Sequence, residues 1–496
     1  MYKFILLLLL ILSTSLFGNR RTDVLDAFEE TDPWDFNIEV KYKYNYQDTK
    51  LKREYYCNAD NDQDPNCQYD KMKNNGIVNA NNFKYKKQEH IITPKLRFGL
   101  YKNVELSFAL PIYLSSTRTL DFDKVARKAA STDDAGLPID NPTHNGAGNT
   151  FWNLERTGGQ DIFFPYKYEK MNDKFNTQQM TDSSGDPIPN RYTNDMENFD
   201  TLNYTRSGLK TLDIALKWGI LDNDTDSSDP SWVLGVEYKI PVASSVNIYE
   251  EKKLNQIANR PAPDNTPYTS SQVRGMLNNK IDLSETTMGD GVHWLRLSTA
   301  LSKRYAFVSP VFEFWFENPF VFGNSIFKSH ENREYYKPGK RFGFTVATDF
   351  IPWERFVRDP NTEVKNVLAQ FSVSIGADFF HNMKGMELSE VSDFIGTTTV
   401  VDGYSSLSLF IDLSFMPTNF IRLTTGFNAG YTTDHLISDQ GKGIDHNKND
   451  ILEDSELDPM YKDNKILFNS INSIGTRIQA TETLNLSAYF NFAVQF

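Results

Sequence analysis

The sequence predicts an all-β fold: a closed antiparallel transmembrane β-barrel of about 12 strands, with long extracellular loops and short periplasmic turns. Three observations predict it. The 496 residues are polar overall, with a mean hydropathy of −0.50, yet 14% are aromatic. No run of 18 apolar residues occurs, which excludes membrane-spanning helices, while abundant aromatics in a polar chain suit strands with one face in lipid. The second observation is the N-terminus. Lys3, an apolar run over 4–12 and small residues up to Gly18 read as a secretory signal peptide over 1–18, too short to span a bilayer. The third is the C-terminus, where every even position from 484 to 496 is apolar and the odd ones are mostly polar. That is a strand between lipid and a polar lumen. The cell outer membrane is the expected location.

The strands follow in order by the same period of two. A periplasmic segment over 19–33 precedes the barrel, which occupies 34–496. Phe36, Ile38, Val40, Tyr42, Tyr44 and Tyr46 make one apolar face; Ile92, Leu96, Phe98 and Leu100 make the next. A tight Lys102-Asn103 turn leads to Val104, Leu106, Phe108, Leu110, Ile112 and Leu114. Alternating stretches recur at 212–220, 232–242, 295–301, 308–316, 342–350, 371–379, 407–415 and 421–431, before the terminal strand. Each has the length a tilted strand needs to cross a bilayer.

Long connections at 54–83, 118–208, 243–290, 317–340, 380–403 and 433–483 alternate with short ones near 102, 222–230, 303–305, 353–365 and 417–419. The largest loops are therefore 118–208, 243–290 and 433–483. Long extracellular loops alternating with periplasmic turns are the outer-membrane pattern. A further strand over 465–480 would carry Ser470 and Asn472 outward, so it is assigned to the last loop, with 14 strands as the runner-up. Trp34 opens strand 1, Trp218 ends strand 4, Trp232 opens strand 5 and Trp353 follows strand 8; all fall at the expected periplasmic interface, where such rings are enriched.

Three connections carry candidate chemistry. Cys57 and Cys67, the only cysteines, lie in one polar loop of an exported chain and are expected to form a disulfide. In the last loop Asp445, Asn447, Asn449, the Ile451 carbonyl, Glu453 and Glu456 follow the ligand spacing of an EF-hand calcium loop, so Ca²⁺ is the candidate cofactor. Asp450 stands where that loop needs glycine, and the alternative is an acidic, solvated surface loop. Asp222, Asp224 and Asp226, and Asp60, Asp62 and Asp64, repeat the spacing without a distal Glu.

The Asp32-Pro33-Trp34-Asp35-Phe36 start, Pro352-Trp353-Glu354, and an acidic loop before a final strand ending in Phe resemble a poorly characterised family of outer-membrane β-barrels from delta-proteobacteria and their predatory relatives. The resemblance covers most of the mature chain through short motifs. It implies the fold and the location, and no substrate. The terminal strand ending in Phe496 also resembles the signal recognised by the barrel assembly machinery.

Alternation places Glu39, Lys41, Lys43, Lys95, Arg97, Glu105, Asp213, Lys217, Glu237, Lys239, Arg296, Glu313, Asp349, Asp378, Asp412 and Arg422 toward the lumen. Eight are basic and eight acidic, so the wall has no strong single sign. The expected function is a channel for passive passage of small polar solutes, in a monomer or small oligomer embedded in outer-membrane lipid. The alternative is a surface-exposed adhesion or structural barrel with a plugged lumen. A net charge of −13 excludes a nucleic-acid partner held by phosphate neutralisation. An outer-membrane lipid hydrolase is the enzymatic rival. It lacks Gly-x-Ser-x-Gly and His-Glu-x-x-His, and strict alternation puts His90 and Ser115, which adjacent strands could bring together, on opposite faces. No enzyme is expected.

Overall fold

The computed structural model describes residues 22–25, 35–56, 77–122, 201–221, 230–246, 284–285, 287–323, 325–328, 335–358, 365–392, 398–438 and 477–495. Twelve barrel strands run through them. They are β1 (Phe36–Tyr56), β2 (Ile77–Tyr101), β3 in two segments (Val104–Ala109 and Ile112–Phe122), and β4 in two segments (Thr201–Leu209 and Thr211–Leu221). Then come β5 (Ser231–Pro241), β6 (Val292–Ser302), β7 (Val308–Val321), β8 (Arg341–Arg358) and β9 (Lys365–Asn382). β10 (Tyr404–Thr418), β11 (Ile421–Thr432) and β12 (Ile478–Gln495) complete the set. Each pairs antiparallel with its sequence neighbour, and β1 pairs with both β2 and β12, so the sheet closes.

Adjacent register rows show how alternation becomes architecture. Val40, Phe492, Leu423, Phe415, Phe371 and Trp353 are successive cross-strand partners and form one apolar row outside. One residue along, Lys41, Asn491, Thr424, Ser414 and Ser372 form a polar row inside. Continued around the barrel, the outer rows leave Leu96, Leu216, Val236, Leu297, Phe312, Phe344, Ile375, Leu409 and Phe490 exposed as a lipid-facing belt. In water such a belt would be a large aggregation-prone patch; in a bilayer it is the solvated surface. The chain is an outer-membrane β-barrel.

Several strands outrun the belt. β2 begins at Ile77, β3 runs to Phe122, β4 begins at Thr201 and β12 begins at Ile478, where the sequence places loops over 54–83, 118–208 and 433–483. Above the membrane the outer face meets water, so Lys84, Lys86 and Glu482 replace apolar residues and the lipid pattern ends before the strands do. At the other end β8 continues to Arg358, so Trp353 lies within it rather than after it. Trp218 lies within β4, three residues before Leu221, and Trp232 near the start of β5; Trp34 is outside the described residues.

Candidate functional site: the lumen

All sixteen charged residues assigned inward by alternation lie on the face opposite the apolar belt. Glu39, Lys41 and Lys43 stand on β1, Lys95 and Arg97 on β2, and Glu105 on β3. Asp213 and Lys217 stand on β4, Glu237 and Lys239 on β5, Arg296 on β6 and Glu313 on β7. Asp349, Asp378, Asp412 and Arg422 stand on β8, β9, β10 and β11.

The fold gathers some of them into two groups. At the periplasmic end Arg97 donates to Glu105 through Nε at 2.9 Å and Nη2 at 2.6 Å, a two-pronged pair around a fully buried carboxylate. Glu39 lies 3.4 Å from Arg97 Nη1. Here the structure departs from the sequence reading, which leaves 19–33 as a periplasmic segment: residues 22–25 lie inside the barrel mouth. The Leu25 amide donates to Glu105 Oε2 at 3.1 Å, Arg97 Nη2 donates to the Asp23 carbonyl at 3.3 Å, and Thr22 Oγ1 shares a 2.6 Å hydrogen bond with Ser302 Oγ. Arg422 reaches the Asp23 carboxylate at 3.7 Å from β11, beyond β12 and β1. These four residues make a floor. No local signal in 19–33 announces it, because the partners that hold it are distant in sequence.

The second group lies on β5–β7. Lys239 Nζ pairs with Glu317 at 2.8 Å and stands 4.0 Å from Glu237, and Arg296 approaches Glu313 at 3.5 Å and Glu317 at 3.7 Å. The Arg296 guanidinium lies 4.5 Å over the Trp315 ring. Gly343 on β8 makes room for that indole, since a Cβ there would come within 2.6 Å of it.

A roof covers the extracellular end of the described lumen. The connection from β9 to β10, expected to be a loop, folds inward as a small hairpin of Gly385–Glu387 with Thr399–Val401. Its Val401, with Val391, joins Leu51, Phe83, Tyr85, Leu120, Ile437, Ile478 and Ala480 in an apolar cluster on the inner faces of the tall strands. Met386 and Val400 pack with Val246, Val292, Trp294, Ile326 and Phe327 on the other side.

Between roof and floor, against β1, β2 and β9–β12, is a cavity of about 420 Å³. Its wall includes Lys43, Asn45, Gln47, Lys87, Glu89, Phe380, Glu387, Glu390, Tyr404, Ser406, Ser408, Asn428 and Asn485. Asn45 and Gln47 continue the inward alternation of Lys43 on β1, so extending the period by two turns of the pleat finds them. Glu387 and Glu390 belong to the folded-in connection and have no such signal.

One face assignment is corrected. His90 and Ser115 are direct cross-strand partners, because the register shifts between His90 and Ile91 and Leu114 is inserted opposite. The bulge turns Ser115 to the lipid-facing side, where His90 shares a 2.8 Å hydrogen bond with the Tyr42 hydroxyl. Cys57, Cys67 and the acidic loop holding Asp445, Asn447, Asn449, Ile451, Glu453 and Glu456 lie outside the described residues.

No family model and no curated protein matches this chain. Among solved structures it is similar to an outer-membrane channel from Pseudomonas putida F1, with a TM-score of 0.34 and 9% identity, over 97% of this chain and 100% of that one. It is similar to a FadL homologue of Pseudomonas aeruginosa at 0.32 and 8%, over 93% and 90%. The outer-membrane protease OmpT of Escherichia coli aligns at 0.26 and 8%, over 96% and 100%. Likenesses this distant join a channel and a protease alike and carry no argument; the barrel stands on its own strand pairing.

Proposed function

We propose that this barrel is a narrow outer-membrane channel that passes small polar solutes. The observation that carries the reading is the polar cavity of about 420 Å³ lined by the inner faces of β1, β2 and β9–β12 and by the folded-in connection. Hydroxyl, amide and balanced charged groups replace the water of a polar solute, while the wall's mixed sign holds no ion of one charge strongly. The floor at residues 22–25 and the apolar roof set a small size limit. Twelve strands leave a bore well short of the 16–18-strand porin channel, which agrees with a narrow path.

Proteoliposome swelling tests this. Vesicles holding the refolded barrel are expected to swell in isotonic solutes of amino-acid and monosaccharide size, and to fall to the protein-free rate as the solute grows. Swelling no faster than protein-free vesicles with every solute, from a barrel shown to be folded, overturns the reading. The roof and floor together favour a second reading, a surface barrel whose plugged lumen serves stability, and that result would favour it.

A further inference from the structure

The lumen cavity carries one cation and one anion without direct ionic partners among the described residues, and together they point to a class of ligand. Four of its charged neighbours are matched within the protein: Lys87 pairs with Glu89 at 2.8 Å and Arg341 with Glu387 at 3.5 Å. Two are not. The Lys43 ammonium lines the cavity with no hydrogen bond or ion pair in contact range among the described residues, although the Glu89 and Asp378 carboxylates attract it from farther off. On the folded-in connection Glu390 also lines it, and its carboxylate accepts one hydrogen bond, from the neutral Gln47 amide at 3.1 Å, with no cation in ion-pair range among the described residues. A partly buried charge with no direct partner keeps part of its desolvation cost, and a ligand bearing both signs relieves both together.

We propose that this cavity is a binding site for a small zwitterion of amino-acid or dipeptide size, its carboxylate on Lys43 and its ammonium on Glu390. The volume lies in the range of small-molecule sites, about 300–1,000 Å³. Asn428 and Ser408, already hydrogen-bonded to each other at 3.3 Å, present amide and hydroxyl groups to the uncharged middle of such a ligand. The site deepens the channel reading, since it would be a station on the solute path, but its binding is measured without transport.

The experiment is an equilibrium titration of the folded full-length protein in detergent micelles with glycylglycine, glucose, acetate and methylamine. Glycylglycine is expected to bind at least ten-fold more tightly than the neutral sugar or either singly charged probe. Lys43→Gln and Glu390→Gln are each expected to weaken glycylglycine at least ten-fold and leave the glucose titration unchanged. Both variants are checked for folding by their heat-dependent migration on gels, and Glu390→Gln, outside the barrel wall, keeps the test open if Lys43→Gln fails to fold. Equal affinity for glucose, no binding of glycylglycine, or variants indistinguishable from the parent would overturn the proposal even if the barrel conducts. Binding in a barrel that does not conduct would sustain it and overturn the channel instead.

Discussion

The Glu105 carboxylate has no exposure, and its stability depends on Arg97 and the Leu25 amide that face it. Removing Arg97 leaves the buried Glu105 carboxylate with the Leu25 amide alone among the described residues, so Arg97→Met is expected to cost about 3–5 kcal/mol, measured by reversible denaturant unfolding in vesicles or micelles. Glu105→Leu costs less, because Arg97 keeps Glu39 at 3.4 Å. The double change Arg97→Met with Glu105→Leu is expected to cost less than the sum of the two singles, because neither charge is then left alone. Purely additive losses would show that the pair is not coupled. A different residue-scale effect lies in the turn between β6 and β7. Ala306 holds φ at 53°, a left-handed conformation costly to any residue with a Cβ, while Arg304 anchors the turn by donating to the Ala306 carbonyl at 2.7 Å and to Glu354 at 3.0 and 3.1 Å. Ala306→Gly is therefore expected to stabilise the barrel by about 1 kcal/mol, read as a higher denaturant midpoint; a lower one would mean the turn does not carry this strain.

At the scale of the element, what the sequence reveals is set by which solvent each face meets. Inside the belt, lipid on one side and a polar lumen on the other impose a period of two, and twelve strands, their faces and their order are legible from it. Where strands rise into water the outer face turns polar and apolar residues such as Phe83, Tyr85, Leu120 and Ile478 face inward under the roof, so the lipid pattern inverts and the upper parts of β2, β3, β4 and β12 read as loops. The bulge at His90 defeats alternation differently, since an inserted residue shifts phase without changing composition. The cavity residues on β1 were within reach of the pattern; those on the hairpin and in residues 22–25 are placed by distant partners that no local period encodes. The face assignment itself is tested by neighbours on β10. Leu409 is 65% exposed in the belt and Ser408 lines the cavity. Leu409→Arg is expected to destabilise the inserted barrel by about 2–4 kcal/mol, whereas Ser408→Arg leaves insertion intact and obstructs the lumen. Equal penalties for insertion would contradict the register.

At the scale of the whole molecule, the barrel is a wall with an apolar outside, a polar inside, an apolar roof and a polar floor. The floor is part of the same chain, so its removal should act on conduction before it acts on the wall. Single-channel conductance in planar bilayers, comparing the full chain with a variant lacking residues 22–25, decides whether the lumen is a path. Small discrete steps are expected for the full chain and larger ones for the deletion, with Ser408→Arg reducing both. A folded barrel that is silent in both forms would contradict the claim that the lumen is a path.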